Sequence, residues 1–368
     1  MRLASVFPDP LGSRSRDMNK LERLVARLRR PGAYPHPVGA VEHIETHISH
    51  VLLAGDYAYK LKKELDLGFL DFSTLERRRF CCEEEVRLNR RLAPHVYLGV
   101  VPVTGSAESP RMGGEGEALE YAVMMRRFDQ GGLLTSLPLE GDLPERVAQR
   151  VAAFHQSIPA VGPEQPFGTP EAVLEPMRGN FAQIRSRLAD RQVLERLDPL
   201  EDWTLRRHSE LEPVLARRRA EGFVRECHGD MHRGNIALDK GEVLIFDGIE
   251  FNPSLRWIDT MSELAFLIMD LEEAGERSQA RRVLNRYLEL TGDYAGLQIL
   301  DFYKVYRAMV RAMVIAIRLG QPDLGAEEAD RDRRELAGYL DLAAGYTRRE
   351  PRVLLPVSYT HLRAHETA

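Results

Sequence analysis

The chain has 368 residues, about right for two domains or lobes and too long for one minimal domain. Hydrophobic residues make up 43% and charged residues 29%, an ordinary globular mix that excludes global disorder. Lys and Arg number 51 against 56 Asp and Glu, a formal net charge of −5, which speaks against a nucleic-acid binder working by bulk electrostatics.

Residues 1–17 read as a loose leader, with Met18 as an alternative start. Leu21, Leu24, Val25 and Leu28 fall at helical spacing over 18–30, and Pro31, Pro35 and Pro37 end that helix. From Val41 the period changes to two. Strands are expected at 43–47, 51–54 and 57–63, with Gly55-Asp56 as a tight turn. Ser73, with Glu76 at the capping-box position, opens a helix to Leu92. Strands at 96–103 and 119–128 follow, joined by a glycine-rich loop at 113–116. Gln130-Gly131-Gly132 marks a boundary. Beyond it, helices are expected at 143–157, 170–196, 199–221, 258–273, 276–290, 298–319 and 326–346. Short strands at 235–238 and 243–246, around Asp239-Lys240-Gly241, interrupt them. The expected fold is α+β: residues 1–40 as leader and helix, 41–129 as a five-strand antiparallel sheet with one helix, 130–349 as a helical lobe, and 350–368 as a tail. No stretch reaches the roughly 20 apolar residues of a spanning helix. Three cysteines, two of them the neighbours Cys81 and Cys82, cannot build a disulfide framework, so a reduced, cytoplasmic protein is expected.

The most informative stretch is Cys227-His228-Gly229-Asp230-Met231-His232-Arg233-Gly234-Asn235, followed by Ile245-Phe246-Asp247. Phosphoryl transfer from a nucleotide needs one carboxylate to orient an attacking hydroxyl. It needs a second to hold Mg²⁺ against the phosphates, and a neutral oxygen ligand to complete the metal shell. Asp230, Asp247 and Asn235 match those parts. Asn235 comes five residues after Asp230, so one turn presents both, and the hairpin returns Asp247 toward them.

The pattern His-x-Asp-x-x-x-x-Asn before a metal-binding Asp is that of protein-kinase-like enzymes. The form His-Gly-Asp-x-His-x-x-Asn resembles the aminoglycoside phosphotransferase family of small-molecule kinases. The resemblance is closest to a bacterial subgroup carrying Glu-Thr-His-Ile-Ser, Gly-Phe-Leu-Asp-Phe-Ser-Thr-Leu and Phe-Asp-x-Ile-Glu-Phe-Asn, here at 45–49, 68–75 and 246–252. It implies a two-lobed fold, ATP and Mg²⁺ as cofactors, and a small-molecule hydroxyl as acceptor, with no nucleic-acid or membrane partner. It implies a third-strand lysine on the phosphates: Lys60, with Lys62 on the same face as the rival. A carboxylate of the next helix should hold that lysine, Glu85 first and Glu84 second. Asp230 is the expected catalytic group, and Asn235 and Asp247 the metal ligands. His228, His232 and Asp259 are expected to brace the loop. Ser-Glu-Leu-Ala at 262–265 departs from the family's Ser-Asp-Leu-Ala. The kinase glycine-rich loop is absent at 46–50. In the subgroup a P-loop kinase-like domain often follows.

The same residues allow other readings. Asp230 alone would read as a loop cap. His228, Asp230 and His232, with Asp247 and Glu250, would suit a metal-dependent hydrolase, but that leaves Lys60 and Glu85 unexplained. A non-catalytic nucleotide-binding module regulating a fused P-loop kinase is the alternative from a second class. His43, His47 and His50 resemble a zinc cluster but are expected on different faces or in a turn. Glu263, Asp270, Glu272 and Glu273 make an acidic stretch, read as a solvated helix face or as a wall for a cationic substrate. Residues 358–368 resemble translated adapter sequence, and the chain is expected to stop just before a P-loop.

Overall fold

In the computed structural model, which describes residues 20–348 except 47, 67–69, 189 and 321–323, the first apolar stripe is helix α1 (Lys20–Leu28). Its buried residues are Leu21, Leu24, Val25 and Leu28, one face of an amphipathic helix. The leader with Met18, the tail at 349–368, His47 and Gly68 lie outside the described residues.

Six strands, not five, form the sheet: β1 (Val41–Glu45), β2 (Ser49–Ala54), β3 (Tyr57–Lys62), β4 (Tyr97–Gly105), β5 (Pro110–Met112) and β6 (Glu120–Arg126). Their order is β1-β2-β3-β6-β4-β5, with every neighbouring pair antiparallel. The unanticipated β5 is three residues long, too short to show alternation. It sits at an edge, where Pro110 has no ladder hydrogen bond to lose. Gly55 closes the β2–β3 turn at φ 58°. α1 packs on the sheet face carrying Leu52, Tyr59 and Leu61. The opposite face carries Val51 and Val123 against Cys82 and Val86 of α2 (Leu75–Asn89). Thr74 rather than Ser73 caps α2, accepting from the Arg77 amide at 3.3 Å. Asp71 takes Ser73 instead, receiving its amide at 3.0 Å and its hydroxyl at 2.6 Å.

The helical lobe begins with α3 (Leu143–Ser157), α4 (Pro170–Arg187) and α5 (Arg191–Ala220). The expected break near Pro199 is absent; α5 runs through Pro199 and Pro213. Burial of Leu197 and Leu200 outweighs the lost helical bond, and the real break comes at Asp190, whose carboxylate caps α5. Next come β7 (Val224–Glu226), the hairpin β8 (Ile236–Asp239) and β9 (Glu242–Ile245), the short α6 (Pro253–Arg256), and β10 (Trp257–Asp259). β7 and β10 pair antiparallel, which removes the start of the helix expected from Ile258. α7 (Thr260–Glu273), α8 (Arg277–Thr291), α9 (Leu297–Leu319) and α10 (Ala326–Thr347) complete the lobe. α7 is buried continuously from Thr260 to Leu271 and forms the centre of the lobe, packed by α8 and α9.

One polar cluster fixes this lobe. Arg218, 2% exposed, donates to both Asp259 oxygens at 2.8 and 2.9 Å and to both Asp293 oxygens at 2.7 and 2.8 Å. Arg218→Met leaves two buried carboxylates without their cation. The expected loss is about 3–5 kcal/mol in urea unfolding; an unchanged midpoint would show the cluster to be dispensable.

Candidate active site

Alternation along β3 puts Lys60 and Lys62 on the face that α2 covers. Lys60 Nζ donates to Glu85 Oε1 at 2.9 Å and to Asp247 Oδ1 at 2.7 Å. Lys62 Nζ donates to Glu85 Oε2 at 2.7 Å and to Glu250. The two lysines are not equivalent. Lys62 is sealed, its side chain fully buried, whereas Lys60 reaches Asp247, whose side chain is 20% exposed. Glu84 faces elsewhere, paired with Arg87 and Arg256. Burial opposes the Lys60 charge, but Asp247, Glu85 and Glu250 outweigh it and hold the ammonium well above its usual range. Burial pushes the Glu85 carboxyl up, and Lys60 and Lys62 outweigh that too, bringing it to about 2.

Asp247 lies at φ 64°, a left-handed backbone that a non-glycine residue adopts only when its surroundings hold it. Its amide donates to Tyr97 Oη at 3.0 Å, and the Gly248 amide donates to Asn89 Oδ1 at 2.8 Å. Residues of β4 and α2 thus aim the carboxylate.

The 228–235 loop is braced from three sides. His228 Nε2 donates to the Phe246 carbonyl at 2.8 Å, and its Nδ1 accepts the Asp230 amide at 3.3 Å. Burial lowers the His228 pKa, consistent with this neutral tautomer. His232 Nδ1 accepts the Gly234 amide at 3.0 Å, while its Nε2 lies 3.4 Å from Asp230 Oδ2. Asn235 Nδ2 donates to the Asp230 carbonyl at 2.9 Å and to Asp230 Oδ2 at 3.0 Å. Burial pushes the Asp230 carboxyl up, but His232, His228 and Arg311 outweigh it and set it at about 2. Asp230 is therefore ionised at neutral pH. Asn235 Oδ1 is buried and has no hydrogen-bond partner.

That orphaned oxygen is a test of metal fit. A buried amide oxygen without a partner is unfavourable by itself, and with the Asp247 carboxylate it would supply oxygen donors of the kind Mg²⁺ takes. Both His228 nitrogens and His232 Nδ1 are already engaged, and Glu250 is held by Lys62, which reduces the hydrolase set to Asp230, Asp247 and the partnerless His232 Nε2.

Several expectations need correction. The carboxylate that grips the loop is Glu263, not Asp259: Glu263 Oε1 accepts the His228 amide at 2.6 Å and the Gly229 amide at 2.7 Å, and its Oε2 bonds His155 Nε2 at 2.8 Å. Asp259 is committed to Arg218 and to capping α7. The acidic stretch is neither the solvated helix face expected first nor a wall for a cation: Glu263 and Asp270 are buried, and besides Glu263, Asp270 binds Arg233 and Glu272 binds Lys304. His43 and His50 share one sheet face, because Glu45 pairs His50 and His43 pairs Leu52. They bond each other at 3.1 Å on the α1 side, away from Lys60, while Lys63 holds Glu45 at 2.7 Å. Glu226 was not anticipated either. It meets Arg87 at 2.8 Å, Arg91 at 3.3 Å and Arg256 at 3.2 Å, tying α2 to the segment before His228. No local pattern marks such a hub; only the three-dimensional meeting of the arginines does.

No helix among the described residues is long and apolar enough to cross a membrane. A curated protein of Mycobacterium tuberculosis is 34% identical over 305 residues, 79% of this chain and 59% of that protein. The chain thus spans little more than half the length of the curated relatives it matches. The amicoumacin kinase hAmiN, solved with AMP-PNP, Ca²⁺ and its ligand, is 16% identical with a TM-score of 0.50, covering 82% of this chain and 88% of that one. A choline/ethanolamine kinase family protein from Mesorhizobium loti is also 16% identical, with a TM-score of 0.47 over 88% of this chain and 98% of that one. At such identity the first of these shows the fold, a sheet lobe on a helical lobe. The phosphotransferase enzyme family is matched over residues 79–300, more than half of the sequence and including the whole 228–247 segment, so this chain belongs to the phosphotransferase enzyme family.

Proposed function

We propose that the chain is an ATP-dependent phosphotransferase that moves the γ-phosphate to a hydroxyl of a small molecule, with Mg²⁺ as cofactor. The observation that carries this reading is convergence. Lys60, from the sheet lobe, lies 2.7 Å from Asp247 of the helical lobe, and Asn235 joins Asp230 at 3.0 Å with its amide oxygen left free.

Each residue then has a task. Lys60, kept charged and aimed by Glu85, binds phosphate oxygens in exchange for Asp247. Asn235 and Asp247 would hold the metal, which would neutralise phosphate charge. Asp230 accepts a hydrogen bond from the acceptor hydroxyl and orients its oxygen. That oxygen bonds to the γ-phosphorus as the bond to the β,γ-bridging oxygen breaks. ADP leaves with the electron pair, and the hydroxyl proton passes to Asp230. The proton passes late, as a loose phosphoryl transition state allows. Lys62 is proposed to lock Glu85 rather than to touch phosphate.

The test is ATP consumption across a panel of alcohols with varied Mg²⁺. Asn235→Leu is expected to raise the Mg²⁺ concentration for half-maximal rate on the order of 10–100-fold. An unshifted requirement removes Asn235 from the metal shell. A nucleotide-binding module serving a fused partner domain would bind the nucleotide and consume none with any acceptor.

A further inference from the structure

Asp230 lines a cavity of about 810 Å³ whose walls come from α4, α7, α9 and the 249–259 segment. This is the size of a site for a drug-sized molecule. Its walls are largely apolar, with Val173, Met177, Trp257, Phe266, Val310 and Met313 among them. Two buried polar atoms of lining residues have no protein partner: Asn180 Nδ2, on a residue 6% exposed, and the Tyr303 hydroxyl, on a residue 2% exposed. Burying an unpaired donor is unfavourable unless a ligand satisfies it.

The charge pattern narrows the ligand further. The lining carboxylates are Asp66, Glu175, Asp230 and Asp259. Asp66 and Glu175 are exposed, and Asp259 is held by Arg218. Asp230 is kept for the reacting hydroxyl. The deep cation is Arg307, held by the Ser262 and Gly229 carbonyls and the Ser262 hydroxyl, and set 4.9 Å from the Phe266 ring centre. A polycation entering here would lose water beside a buried guanidinium, and apart from Asp230 the carboxylates it could meet are the exposed, water-screened Asp66 and Glu175.

We propose that the acceptor is an uncharged hydroxyl compound with an aromatic or aliphatic body, buried against the α4–α9 wall and oriented by Asn180 and Tyr303 hydrogen bonding to its oxygens. The proposal rests on the phosphotransferase reading for the direction in which the hydroxyl faces, and on the cavity alone for the class of molecule.

The experiment follows thermal unfolding of the chain with a non-hydrolysable ATP analogue while neutral aryl glucosides (arbutin, salicin, phlorizin) are added, with kanamycin and choline as cationic comparators. The aryl glucosides are expected to raise the unfolding temperature and the cations to leave it unchanged. Tyr303→Phe and Asn180→Leu remove the partnerless hydroxyl and Nδ2, so each unliganded variant should unfold no lower than wild type. Each should bind the aryl glucosides about 3–10-fold more weakly, the loss of one hydrogen bond. ATP consumption is read in parallel. Binding without consumption supports the acceptor class and removes the phosphotransferase reading. Consumption with kanamycin or choline, and none with aryl glucosides, keeps phosphotransfer and overturns the acceptor class. No stabilisation by aryl glucosides, equal affinity in wild type and both variants, or unfolding of the unliganded variants would each overturn it.

Discussion

Asp230→Asn is expected to lower the rate of phosphoryl transfer by about 10²–10⁴-fold, the usual contribution of a positioned proton acceptor. Nucleotide affinity should stay at the wild-type level. The substitution is nearly isosteric, and its amide oxygen can still accept from Asn235 Nδ2, which donates to Asp230 Oδ2 at 3.0 Å. What disappears is the charge and the proton acceptor. The pH profile adds a check. With its carboxyl at about 2, Asp230 stays ionised well below neutrality, so an acid limb near pH 4–6 in the wild type must come from another group. Single-turnover rates and nucleotide titrations on both proteins decide the matter. Wild-type turnover in the variant would remove Asp230 from the chemistry.

A stability effect as large as that at Arg218 is expected at Glu85. Its two oxygens hold two buried lysines, Lys60 at 2.9 Å and Lys62 at 2.7 Å. Glu85→Leu leaves each ammonium with one carboxylate and a lost hydrogen bond in a dry site, and should lower stability by about 3–5 kcal/mol. Glu85→Gln keeps the shape and one acceptor, and should lose less. The pH dependence has a definite sign. The folded carboxyl is depressed from 4.5 to about 2, so its contribution is fully present above the ordinary carboxyl range and fades as pH falls toward 2. Urea unfolding at neutral and acidic pH should therefore show the Glu85→Leu deficit shrinking in acid. A deficit independent of pH would locate its cause in packing instead.

Much of this was legible in the sequence because it is local. The 143–157 helix matches α3 residue for residue, since one apolar stripe and its boundary residues lie within a single window. The Asp230-to-Asn235 spacing announces a loop, and the short apolar strand expected at 243–246 announces where Asp247 sits, although β9 itself ends at Ile245. The misses are non-local. β7 and β10 are three residues each and exist only through one another. Arg218 reads as one basic residue among several at the end of α5, yet its partners lie 41 and 75 positions away. Glu263 was visible as a Glu where the resembling proteins carry Asp. Only its burial beside the His228 and Gly229 amides reveals that the loop hangs from it. The His43–His50 contact was missed because β2 begins at Ser49, two residues before the expected start at 51, which puts His50 on the strand opposite Glu45 instead of in the turn.

The most direct test is a crystal structure of the chain with Mg²⁺ and a non-hydrolysable ATP analogue. Lys60 should leave Asp247 for a phosphate oxygen while keeping Glu85, with Asn235 Oδ1 and the Asp247 carboxylate on the metal and Asp230 facing the terminal phosphate. A bound nucleotide with the Lys60–Asp247 pair intact, and the metal away from Asn235, would contradict the account.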